Sequence, residues 1–86
     1  MNDKDILEIP EATETDSNAF ELLRVWIANK QQHVSLRGGV WEDPAAWGIM
    51  LADLARHIAE SYKNEQGRDV DTTIKRIMAG IRAELD

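Results

Sequence analysis

The sequence contains no cysteine, which excludes disulfides, thiolate nucleophiles, iron–sulfur clusters and thiolate zinc sites. Proline occurs only at positions 10 and 44, and there is no internal repeat or low-complexity tract. No apolar run approaches the length needed to cross a bilayer, so no membrane association is expected. The start, Met1-Asn2-Asp3-Lys4-Asp5, lacks the basic and apolar regions of a signal peptide, and a cytoplasmic location is the expectation. Basic residues are scarce near this end. Residues 1–16 hold six acids, namely Asp3, Asp5, Glu8, Glu11, Glu14 and Asp16, against the single base Lys4. Of the net charge of −6, that stretch accounts for −5. Duplex binding needs clustered Lys and Arg, so nucleic acid is disfavoured as a partner.

At 86 residues there is room for one domain. A chain of this size buries only roughly 60–65% of its unfolded surface. Without disulfides, the remaining supplement to a small core is oligomerisation or another partner.

Residues 1–17 read as an acidic arm and residues 18–86 as a single α+β domain. Within the arm, Leu7 and Ile9 have strand spacing and end at Pro10, which fits either an edge strand or a loosely ordered segment. A first helix is expected from Asn18 to Lys30. Asn18 and Glu21 have capping-box spacing, and Ala19, Leu22, Leu23, Trp26 and Ile27 recur at helical spacing, widened by Phe20 and Val25. Alternation of Val34 and Leu36 with polar residues then predicts a hairpin from Gln32 to Glu42 that turns at Gly38-Gly39 and pairs Leu36 with Trp41.

A second helix, residues 43–64, is announced by Asp43 as N-cap and Pro44 in the first turn. A third runs from Asp69 to Glu84, with Val70, Ile74, Ile77, Met78, Ile81 and Leu85 on one face. The expected fold is therefore α+β, three helices with a small antiparallel sheet or hairpin, in the order β-α-β-β-α-α.

The second helix carries two stripes. One is large: Trp47, Leu51, Leu54, Ile58 and Tyr62. The other is small: Gly48, Ala52, Ala55 and Ala59, a pattern that admits another backbone closely. From Ala45 to Ala52 there is no polar face, and a helix apolar all round is buried all round. Either the other elements surround it, or a second copy does. The expectation is a homodimer with Trp47, Gly48, Leu51, Ala52, Ala55 and Ala59 as candidate interface residues, and a different protein as a further possible partner.

Asp53, His57 and Glu60 share one face of the same helix, a spacing compatible with a metal but better explained as a solvated stripe. Ser35 and His57 stand in no sequence context of a nucleophile–base pair. Arg37-Gly38-Gly39 lacks the spacing of a phosphate-binding loop, and Glu42-Asp43 follows it. Arg68, Lys75 and Arg82 form a basic line along the third helix, read as a solvated face or as a seat for the acidic arm. No catalytic, cofactor-binding or metal-binding residues are assigned, and the chain reads as a non-enzymatic interaction or regulatory module. The alternative is a small-molecule-binding domain in the Trp41/Trp47 region, with Arg37, Trp41 and His57 as candidate contacts.

The segments LLRVWIA at 22–28, QHVSL at 32–36 and WEDPAAWGIMLADLARHIA at 41–59 resemble a family of small bacterial proteins, domain-of-unknown-function family 5076. The resemblance spans Phe20 to Ala59, and WEDPAAWG is its most distinctive part. It implies a bacterial cytoplasmic protein and carries over no catalytic or binding residues.

Overall fold

In the computed structural model, which describes residues 5–86, five elements follow one another. They are α1 (Ala12–Thr15), β1 (Leu23–Ala28), β2 (Gln31–Leu36), α2 (Ala45–Gln66) and α3 (Val70–Leu85). The class is α+β: three helices, two of them long, and a two-strand antiparallel hairpin. Residues 1–4, with the charges of Asp3 and Lys4 and the start that was compared with a signal peptide, lie outside the described residues. The chain divides into two units, Met1–Val40 and Trp41–Asp86.

In the first unit, the stretch expected to open as a helix at Asn18 forms the hairpin instead. Leu23 to Ile27 satisfies two periods at once, and Val25-Trp26-Ile27 is a run of residues that favour the pleated strand. The capping box does not form. Asp16 Oδ1 accepts from the Asn18 amide at 2.9 Å, while Glu21 is held by Arg24. The hairpin turns at Asn29-Lys30, both at positive φ (53° and 62°), as a two-residue type I′ loop requires. Gly38-Gly39 is not the hairpin turn, and Trp41 is not in a strand. Leu36 pairs with Leu23 rather than with Trp41. The candidate edge strand of the arm is not a strand either, for Leu7–Pro10 has no regular structure and a single helical turn, α1, follows it.

The register fixes the faces of the hairpin. Leu23 stands opposite Leu36, Val25 opposite Val34 and Ile27 opposite Gln32. Opposed residues project to one side, so five of these six side chains make one apolar face. The other side carries Arg24, Trp26 and Ala28 against Ser35, His33 and Gln31.

The second unit follows the sequence closely. Asp43 Oδ1 accepts from the Ala45 amide at 3.0 Å, and Pro44 sits in the helical region just before α2. Gly67, at φ 67°, ends α2 by donating its amide to the Lys63 carbonyl at 2.8 Å. Asp69 opens α3, accepting from both the amide and the hydroxyl of Thr72 at 2.9 Å. The short connection between the two helices turns α3 back against α2.

Packing is thin. Among the described residues only Ala55, Ala59 and Thr73 are buried, and no large side chain is fully enclosed. Thr73 satisfies its hydroxyl on the Asp69 carbonyl at 2.8 Å.

Candidate interaction surface

Side chains on α2 separate into those that α3 uses and those that nothing in the second unit covers. Ala55 and Ala59 are buried, and within the second unit α3 packs on α2. The C-terminal half of the small stripe thus serves close packing of two helices within one chain. Gly48 and Ala52, further along the same stripe, are exposed, and Trp47 is half-buried. The large stripe is open. Leu51, Leu54 and Ile58 keep between 40% and 51% of their surface in water, and Ile49 keeps 73%.

Trp41 and Trp47 form an edge-to-face pair, with centroids 5.2 Å apart and planes at 82°. That geometry suits the ring quadrupoles, so the two tryptophans satisfy each other. Arg37 belongs to the first unit. Its Nε donates to the Glu21 carbonyl at 3.0 Å, and its guanidinium lies over the Phe20 ring at 5.5 Å. Its backbone amide donates to the Leu22 carbonyl at 2.9 Å, prolonging the ladder by one pair. His57 is exposed on α2. Of the three candidate ligand contacts, Trp41 and His57 therefore lie in the second unit and Arg37 in the first.

The polar stripe of α2 does not gather into a metal-holding group among the described residues. Asp53 pairs instead with Arg56 at 3.3 Å, in the open. In the first unit, Arg24 makes a bidentate contact with Glu21 at 3.1 and 2.9 Å, and hydrogen bonding to that carboxylate, with its charge, raises the Arg24 pKa. Hydrogen bonds from Thr72, first through its amide and then through its hydroxyl, lower the Asp69 pKa. On the basic line of α3, Arg68 lies over the Tyr62 ring at 5.4 Å. These are positions where charge stabilises local structure.

The open edge of β1 is a further site, not among those expected from the sequence. A groove of about 520 Å³ follows it, lined by Leu23 to Ile27 and, across from them, by Asp5 to Ile9. Successive strand residues point to opposite faces, so a groove touching five in a row runs along the strand edge. The signal for this site was present in the alternation of Leu23, Val25 and Ile27, but helical spacing masked it.

A family model for a domain of unknown function, DUF5076, matches residues 6–86. The chain belongs to this family. The match takes in most of the N-terminal arm and all of α3, well beyond the Phe20–Ala59 stretch that carried the resemblance. A solved structure shares 32% identity with this chain and superposes with a TM-score of 0.75. The match covers 94% of this chain and 82% of that one, which is described as "a putative pyruvate dehydrogenase" from the photosynthetic bacterium Rhodopseudomonas palustrus CGA009. No curated protein matches this DUF5076 chain. Among the described residues no helix is long and apolar enough to cross a membrane.

Proposed function

We propose that this DUF5076 chain is a non-enzymatic interaction module that self-associates as a homodimer through α2. The observation that carries the reading is the open apolar stripe of α2, Leu51, Leu54 and Ile58, in a chain where the buried side chains among the described residues are two alanines and a threonine. Full burial of an aliphatic side chain is worth about 1.5–3 kcal/mol relative to exposure. Covering three half-exposed ones on each of two copies is a substantial gain for a small domain with little core of its own. Trp47, Gly48 and Ala52 lie next to this stripe and remain available to a second copy, whereas Ala55 and Ala59 are already occupied by α3.

The neighbouring structure's description names a pyruvate dehydrogenase. Such chemistry depends on a cofactor as electron sink, held by converging polar groups. The two ion pairs among the described residues, Asp53 with Arg56 and Glu21 with Arg24, are exposed local contacts and do not converge on a common pocket. The alternative of small-molecule binding rests on the Trp41–Trp47 pair. A ligand there would raise the melting temperature with concentration by mass action. Sedimentation equilibrium of the wild type beside Leu51→Arg tests the main reading. A dimer that becomes a monomer in the variant supports it, and a wild-type monomer at every concentration removes it.

A further inference from the structure

The hairpin poses a physical problem that α2 does not address. A two-stranded hairpin is at best marginally stable in water, and three or more strands are needed for a self-supporting sheet. In the first unit no described residue is buried, and the apolar face of the hairpin stands largely in water.

The unpaired backbone groups can be located. The Arg37 amide donates to the Leu22 carbonyl, so these two form a hydrogen-bonded pair. Antiparallel ladders alternate, and the register makes Arg24 with Ser35, Trp26 with His33 and Ala28 with Gln31 the further bonded pairs. The amides and carbonyls of Leu23, Val25 and Ile27 therefore point away from β2, along the groove. Asp5–Ile9 flanks that groove, yet no hydrogen bond joins it to β1 among the described residues. Within β1 itself these three residues are apolar, with no proline or bulge to blunt the edge.

We infer that the free edge of β1 pairs antiparallel with β1 of a second copy, across a two-fold axis at Val25, giving a four-stranded sheet in the order β2-β1-β1-β2. The choice of a second copy comes from self-complementarity. In this register Val25 meets the partner's Val25 and Leu23 meets the partner's Ile27, each outward-facing pair exchanging two hydrogen bonds. On the opposite face, Arg24 meets the partner's Trp26, a cation over an aromatic ring. Both apolar faces then fall on the same side of one sheet. The inference rests on the self-association proposed above and adds a second contact region to it.

Because the chain has no cysteine, single substitutions supply unique thiols. Opposed residues in a bonded antiparallel pair are about 5.5 Å apart at Cα, within disulfide range. Oxidised Val25→Cys should form a covalent dimer, whereas Ala28→Cys, about 20 Å from its counterpart in this register, should do so at least about tenfold less. A mixture of Leu23→Cys with Ile27→Cys should cross-link where neither does alone. Amide exchange on the unmodified protein guards against a variant that fails to fold, with the Leu23, Val25 and Ile27 amides expected to be protected. If sedimentation shows a dimer while these amides exchange freely, edge pairing is overturned and association through α2 stands. If they are protected in a monomer, Asp5–Pro10 of the same chain holds the edge and the inference is overturned. A monomer with free amides overturns both.

Discussion

Val25 stands directly opposite Val34 in the middle of the hairpin, and the two are 50% and 45% exposed. The centre of a sheet face is where burial is normally most complete, so this pair is an apolar surface left open. The same pattern recurs on α2, where Leu51, Leu54 and Ile58 lie open beside a buried Ala55 and Ala59.

The two kinds of position on α2 should respond differently to the same side chain. Ala59 is fully buried, so Ala59→Arg should destabilise the fold by roughly 3 kcal/mol, measured by urea unfolding. Leu51→Arg should leave the stability of the isolated chain within about 0.5 kcal/mol, because the position is half exposed, while abolishing association.

The Asn29-Lys30 turn carries an avoidable steric cost at Lys30, whose φ is 62°. Lys30→Gly should stabilise the hairpin by about 1 kcal/mol, since glycine adopts this conformation freely and Asn-Gly is the preferred type I′ pair. Lys30→Val should have the opposite sign. Thermal denaturation followed by circular dichroism reads both.

Much of the second unit was legible in the sequence, and the reasons are local. Asp43-Pro44, Gly67 and Asp69 each bound a helix through a hydrogen bond or a backbone conformation that few residues supply. The first unit was misread because Leu22 to Ile27 carries both a helical and a strand period, and Gly38-Gly39 is a louder turn signal than Asn29-Lys30. Only the pairing of Leu23–Ala28 with Gln31–Leu36 decides between the two periods, and such pairing is not a local property. The small stripe of α2 was recognised as a close-packing surface, but spacing alone does not say whether α3 or a second chain fills it.

Asp69 gives α3 a pH dependence of defined sign. Its pKa is lowered by the hydrogen bonds from Thr72, so its contribution is present above the ordinary Asp range and is lost as pH falls through the lowered value. Asp69→Ala should reduce the melting temperature at neutral pH by roughly 4–8 °C. Asp69→Asn should keep the cap and remove this part of the acid sensitivity.

The central claim is that one chain leaves its apolar surfaces on α2 for a second copy to cover. Sedimentation equilibrium of the full chain, from low micromolar to near-millimolar concentration, tests it most directly. The account predicts a species of twice the 9.7 kDa chain mass, reverting to a single chain when Leu51 is replaced by Arg. A mass of one chain throughout that range would contradict it.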